Sequence, residues 1–265
     1  MTRWQDVADQ IREQIRRGHY PPGSLIPRIT DLTSAHQVSR ITVRKAIAQL
    51  AAEGLVEPVR RRGTVVRDRP ARQRITRSRT VYRDEIGYYF DPVAQPWRAL
   101  RPPVIGWGPA PYDIAPALGV APGTEILIRD RVMGDPGTGR TIQLATSYLP
   151  ADLARDTILA EADTGPGGIY DRLEEMGHGP LTWHEAVSAR MPTPDEADLL
   201  DLPPGTPVLR IVRTTQSPSG QILEINDTRL NAEHYEIGYP ITRDPAANPM
   251  RPSETSPNAA NIDTT

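Results

Sequence analysis

The sequence predicts an α+β protein in two parts: an N-terminal three-helix unit closed by a short basic hairpin, and a larger C-terminal antiparallel sheet with helices packed on it. Three observations predict it. From Trp4 to Glu53 the apolar residues recur at helical spacing. After about Val104 they alternate with polar ones in short runs bounded by turn residues. The charge is also divided. Residues 1–80 carry 17 Arg and Lys against 7 Asp and Glu, a net +10; the remainder carries 14 against 26, a net −12. A small basic unit on an acidic body is the pattern of a nucleic-acid-binding head on a separate domain.

The first helix runs from Trp4 to Arg17, with Val7, Ile11 and Ile15 on one stripe. Gly18 ends it and Pro21-Pro22-Gly23 turns the chain. A short second helix, Ile29 to His36, keeps Ile29, Leu32 and Ala35 on one face. Gln37-Val38 is a tight connection. Ser39 then caps a third helix that runs to about Glu53, with Val43, Ile47 and Leu50 inward and Ala46 allowing close packing. Gly54 stops it. Leu55–Val59 and Thr64–Val66 read as two short strands around the basic tip Arg60-Arg61-Arg62-Gly63.

Residues 68–103 read as a connecting segment, a Pro- and Arg-containing linker over 68–83 followed by a stretch whose aromatic residues, Tyr88 to Trp97, are suited to capping a pocket. Candidate strands follow at Val104–Gly108, Glu125–Met133, Thr141–Tyr148, Thr182–Met191, Pro207–Thr215 and Ile222–Asn231. Helices fit at Ile114–Leu118, capped by Asp113, and at Gly168–Met176 and Pro194–Asp201. Turns are signalled at Asp135-Pro136-Gly137 and Pro218-Ser219-Gly220. Strands joined partly by hairpins and partly through helices make a mainly antiparallel sheet with helices on it. The Pro-, Asn-, Ser- and Thr-rich tail, residues 246–265, is expected to be disordered.

Composition excludes several classes. No run of about 18 apolar residues is present, so no transmembrane helix is expected. The start lacks the apolar stretch of a signal peptide, and a cytoplasmic, nucleoid-associated protein is the simplest reading. The absence of cysteine excludes disulfides, thiolate zinc sites and cysteine nucleophiles. The five histidines, His19, His36, His178, His184 and His234, form no metal-ligand or catalytic spacing. No metal or cofactor is expected.

Helix, short helix, tight turn, third helix and basic hairpin are the parts of a winged helix-turn-helix. Its third helix must be held by an apolar face so that the opposite face can enter the major groove. Ser39, Arg40, Thr42, Arg44 and Lys45 lie on that opposite face, and Arg60, Arg61, Arg62 and Gly63 form the wing tip. Their donors suit phosphates and base edges. Ser39 serves as a cap as well as a phosphate ligand, and Arg44 serves either DNA or an intrahelical pair.

The runs Pro21-Pro22-Gly23-Ser24-Leu25-Ile26-Pro27, Val38 to Leu50, Glu53-Gly54-Leu55-Val56 and Arg62-Gly63-Thr64-Val65-Val66 resemble the GntR family of bacterial transcription regulators over about residues 3–67, which implies a DNA-binding domain over residues 1–67. Two positions depart from the pattern. Thr30 stands where the family usually has a DNA-contacting Arg, with Arg28 two residues earlier. Arg61 replaces the first Gly of the wing's Gly-x-Gly. The resemblance implies DNA contacts at Arg28, Thr30 and the helix and wing residues above.

Residues 104–242, within a domain expected over 104–245, resemble the effector-binding UTRA domain of the family's HutC subfamily, which has a chorismate-lyase-like fold. The runs that carry this include Ile128 to Met133, Ala145 to Pro150, Gly168 to Glu174, Pro194 to Leu200, Gly205 to Leu209 and Gly220 to Glu224. Arg129 and Arg131 share one face of one strand. Two adjacent guanidinium groups call either for acidic partners or for an anionic ligand. The family's effector sites use Arg at these positions, and the resemblance extends the set to Tyr148, Tyr170 and Glu224. Tyr170 equally suits a core. Trp183 and His184 suit a pocket for a flatter ligand, and His184 equally suits a strand surface. Ala145 stands where sugar-phosphate-binding relatives often carry an acid, which argues against an amino-sugar phosphate.

The expected protein is therefore a transcription repressor, not an enzyme. It should be a homodimer on a palindromic double-stranded DNA operator, modulated by a small-molecule effector. The alternatives are a constitutive repressor without an effector and a lyase-like enzyme. A pyridoxal-phosphate domain, as in some relatives, is excluded because the lone lysine, Lys45, lies in the reading helix.

Overall fold

The computed structural model describes residues 3–68, 71–84, 87–90, 92 and 96–244. The expected disordered tail lies outside the described residues, as does Arg69 of the linker. Among the described residues no helix is long and apolar enough to cross a membrane.

The head is built as the α1 and α3 stripes require, while on α2 Leu32 is buried and Ile29 half-buried but Ala35, expected on the same face, is exposed. Helices α1 (Arg3–Arg16), α2 (Ile29–His36) and α3 (Arg40–Ala52) enclose one apolar centre. It contains Val7, Ala8 and Ile11 of α1, Leu32 of α2, and Val43, Ala46, Ile47 and Leu50 of α3. Helices this short are marginal alone, so this shared core is what holds them. Strands β1 (Val56–Val59) and β2 (Gly63–Val66) pair antiparallel and close the core with Val56 and Val66. Gly23 and Ile26 donate to Val66 and Thr64, so residues 23–26 run along the outer edge of the hairpin. At the hairpin tip Arg61 takes a left-handed backbone, φ 63, where glycine would be unstrained.

Linker residues reach the body as short strands: β3 (Gln73–Thr76), β4 (Tyr82–Arg83), β5 (Tyr88–Tyr89) and β6 (Arg98–Ala99). The sequence reading missed all four because each is too short to alternate visibly. Nor are the linker arginines idle: Arg74 pairs with Glu236, Arg77 with Glu185 and Arg83 with Asp171.

The body is a seven-stranded antiparallel sheet. Its strands are β6, β7 (Val104–Pro109), β8 (Glu125–Asp135), β9 (Arg140–Pro150), β10 (Thr182–Arg190), β11 (Val208–Gln216) and β12 (Ile222–Asn231). The order is β10-β11-β12-β9-β8-β6, with β7 pairing the other half of β8. All six expected body strands form. A last strand, β13 (Tyr235–Gly238), runs parallel to β3 and ties the linker to the chain's far end.

Both faces of the sheet are covered. One carries α5 (Ala151–Ala154), α6 (Gly168–Leu173) and the β3–β13 pair. Leu127, Leu149, Leu159, Leu173 and Leu223 pack there, with Ile75, Ile211, Leu230 and Tyr235 further along. The other carries α4 (Ala115–Leu118) at one end, over Ile126 and Ile225, and α7 (Pro194–Leu199) at the other. Between them lies an ionic group in which Glu196 pairs with Arg190 and Arg229, and Arg210 bridges Asp113 and Asp227. Asp113 therefore does not cap α4 as expected, because Arg210 takes its carboxylate and Ile114 holds the cap position. Thr193 instead makes a full capping box with Glu196 on α7.

Candidate nucleic-acid interface and effector cavity

On α3 the N-cap is Ser39, whose hydroxyl accepts the Thr42 N–H at 3.2 Å and lies 2.9 Å from the Thr42 hydroxyl. Val43, Ala46 and Leu50 have no exposed surface, so the helix cannot rotate about its axis without opening the core. Its other face is thereby fixed outward: Arg40, Arg44 and Lys45 are exposed. Lys45 lies 4.8 Å over the Trp4 ring, which steadies its stem against α1. Glu53 behind the helix is held below its usual range by Arg12, which binds it through two nitrogens at 2.9 and 2.8 Å.

The charges of the head are sorted by side. On α1, Arg12 is taken by Asp9 and Glu53, and Arg16 and Arg17 by Glu13, whose pKa they depress to about 2. The α2, α3 and wing arginines, Arg28, Arg40, Arg44, Arg60, Arg61 and Arg62, are exposed, and none has an acidic partner among the described residues. Arg44 thus makes no intrahelical pair. Thr30 is exposed and donates to its neighbour Asp31 at 3.1 Å. Gly63 closes the wing tip with φ 120.

In the body, a cavity of about 310 Å³ opens on the α6 side of the sheet. Arg131, Ala145, Tyr170, Arg213, Glu224 and Asn226 are among its lining residues, with Tyr88, Phe90 and Trp97 from the segment after the linker. A bulge at the start of β12 puts consecutive residues, Leu223 and Glu224, on this same side. Glu224 is 1% exposed and accepts the Thr215 hydroxyl at 3.0 Å. Arg131 and Asn226 both donate to the Ser147 hydroxyl, at 2.8 and 3.0 Å. No carboxylate pairs with Arg131 among the described residues, and its buried Nε has no hydrogen-bond partner.

Arg213, by contrast, is compensated. It binds Glu185 at 2.6 Å and stacks 3.3 Å over the Phe90 ring. Burial works against its charge, but the Glu185 carboxylate and the Tyr170 hydroxyl oxygen that accepts from it outweigh burial and raise its pKa. Tyr170 itself is pushed up to about 12 by burial, so it remains a hydroxyl. Trp183 packs edge-on against Tyr170 and Phe90 with centroids 5.6 Å away from each.

Of the six residues assigned to the effector from sequence, Arg131, Tyr170 and Glu224 come together here; the other three do not. Arg129 is 3% exposed and donates to the carbonyls of Leu159 and Glu161 at 2.6 and 2.5 Å, so it ties down the neighbouring turn. Burial, with Arg131 adding to it, pulls its pKa down to about 10. Tyr148 sits on the opposite side of the sheet among the α4 core residues. His184 is exposed on edge strand β10, one residue out of phase with the cavity-side Glu185. Sequence reading missed Ser147, Arg213 and Asn226. Only the alternation of their strands pointed to them, and alternation alone does not say which face carries the cavity.

Residues 4–66 match the profile of bacterial regulatory proteins of the gntR family, and residues 104–236 match the UTRA domain. An HTH-type transcriptional regulator of Streptomyces coelicolor is 34% identical over 238 residues, 84% of this chain and 86% of that protein. One from Rhizobium meliloti is 32% identical over 240 residues, 88% of this chain and 93% of that protein. The HTH-type transcriptional repressor NagR of Bacillus subtilis is 24% identical over 244 residues, 89% and 93% of the two chains. A crystal structure of a GntR-family transcriptional regulator superposes with a TM-score of 0.66 at 27% identity, covering 92% of this chain and 99% of that one.

Proposed function

The chain belongs to the gntR family as a transcription regulator with a UTRA effector domain, and we propose that it is a homodimeric repressor whose grip on a palindromic operator is set by a small anion in the sheet cavity. Residues 1–67 bind DNA, 68–103 connect, and 104–245 bind the effector and form the dimer. DNA as the ligand implies work on the nucleoid. The repressor name of the Bacillus subtilis relative supports the sign of regulation.

The DNA reading rests on the sorted charge of the head. Arg12, Arg16 and Arg17 are neutralised by acids; Arg28 before α2 and the arginines of α3 and the wing are left for an external polyanion. The effector reading rests on Arg131. Arg131 lines the cavity without a carboxylate bound to it and with its Nε unpartnered, although Glu224 lines the same cavity, so a small anion can still supply its ion pair. For that anion to regulate, it must favour one arrangement of the two heads over the other.

Fluorescence anisotropy on the chain's own promoter region tests the first reading. Replacing Arg40 and Arg44 together by Ala should abolish specific binding and flatten the salt dependence by about one unit of slope per arginine. Unchanged binding would overturn the assignment of α3. A thermal-shift panel of small carboxylates and phosphates tests the second: an anion should stabilise the wild type and not Arg131→Met. No shift with any anion in the panel would favour a constitutive repressor.

A further inference from the structure

We infer that Ile41 is a specificity-determining residue that reads the 5-methyl group of a thymine in each operator half-site. The inference rests on the reading of α3 as the DNA-facing helix.

Ile41 is 78% exposed. The other exposed large apolar residue of the described head is Leu25, at 49%, and Leu25 lies along the hairpin with its Cδ2 against Gly63. Ile41 has no such neighbour to explain it. It is the second residue of α3, two before the fully buried Val43. At about 100° per residue it therefore points away from the core. Residues three and four further along a helix share its face, and here these are Arg44 and Lys45, both exposed. Arg40 precedes it and Thr42 follows it.

Helix stability does not account for it either. A β-branched side chain in an exposed helix position is a poorer helix former than Ala, Glu, Lys or Arg. The feature is a lone branched aliphatic group at the leading end of the reading helix, ringed by guanidinium and hydroxyl donors. In the major groove those donors find phosphates and the N7, O6 and O4 acceptors. The apolar group there is the thymine C5-methyl. Ile41 fits that group and nothing else on the edges of the four bases.

The test uses the full-length protein and a footprinted operator duplex in which thymines are replaced one at a time by deoxyuridine. This removes a methyl group and leaves every hydrogen-bonding atom in place. One position per half-site should weaken wild-type binding about fourfold, the equivalent of one buried methyl at about 0.8 kcal/mol. Substitution at both half-sites should weaken it about fifteenfold. Ile41→Ala should bind the thymine and deoxyuridine duplexes equally at that position, with an unchanged salt slope, and Ile41→Val should keep part of the discrimination. Indifference of the wild type to every such replacement overturns the inference, as does an Ile41→Ala variant that discriminates as well as the wild type. Failure of the wild type to bind any promoter duplex is a different result: it overturns the DNA reading itself, and this inference with it.

Discussion

Replacing Gly205 by Ala should unseat the head from the body. Gly205 lies in the loop before β11 with φ +78, and a Cβ there would stand 2.4 Å from the Ala52 carbonyl oxygen at the end of α3. No side chain can rotate to relieve a collision with backbone, so the head must move. The seat it leaves includes the Arg67–Glu233 ion pair, whose side chains are each 10% exposed, and the Arg72 hydrogen bond to the Ala232 carbonyl at 2.9 Å. Gly220→Ala is the control. Gly220 has φ +82 and nothing within 4 Å of its would-be Cβ. Both variants incur the left-handed backbone cost of about 1–2 kcal/mol. Only Gly205→Ala adds the collision, about 1–3 kcal/mol if the structure strains to keep its contacts. Urea unfolding should therefore separate the two by about 1–3 kcal/mol, and amide exchange should speed up at Ala51–Gly54 in Gly205→Ala alone. Equal losses, with no change in exchange, would refute the seating of α3 on this loop. The seat matters because β12 carries Glu224 and Asn226 in the cavity and leads directly to Ala232 and Glu233. One strand joins the cavity and the seat of the head.

Three further outcomes follow from the same structure. Burial pushes the Glu196 carboxyl up, but Arg190, the Thr193 N–H and Arg229 outweigh it and lower its pKa from 4.5 to about 2. Its stabilising contribution, at most about 3 kcal/mol, is present above pH 4.5 and lost as the pH falls toward 2. The unfolding free energies of wild type and Glu196→Gln should accordingly differ most near neutrality and converge in acid. Arg129→Met leaves the buried Leu159 carbonyl without its donor and should cost about 1–3 kcal/mol in urea unfolding, the part-buried Glu161 carbonyl adding less. Arg131→Met removes a cation with no carboxylate partner and should be neutral or stabilising; the reverse order would overturn the structural assignment of Arg129. Arg61→Gly should relieve the left-handed strain at the wing tip, raising stability by up to about 1 kcal/mol, while lowering the salt slope of DNA binding by about one.

Local features were legible in the sequence because their causes are local. The Ser39 cap, the α1 and α3 stripes and the Asp135–Gly137 turn each depend on residues within a few positions. The opposite net charges of the two parts of the chain pointed to a basic head, because a charge count needs no tertiary contact. What the sequence left open was decided by neighbours distant in the chain. Arg129 and Arg131 share one strand face and one chemistry, yet Arg129 lies beneath the Leu159–Glu161 carbonyls and Arg131 beneath open volume. Tyr148 and His184 fell on the wrong side of their strands for the cavity, since alternation assigns two faces without naming them. Strand β3 found its partner more than a hundred residues away in β13, and no periodicity in four residues announces such a pairing. The sequence alone determined the two-part α+β plan and the reading helix. Tertiary packing alone decided which arginine is tied to backbone carbonyls and which lines a cavity, because that depends on what lies above each side chain and not on the strand that carries it.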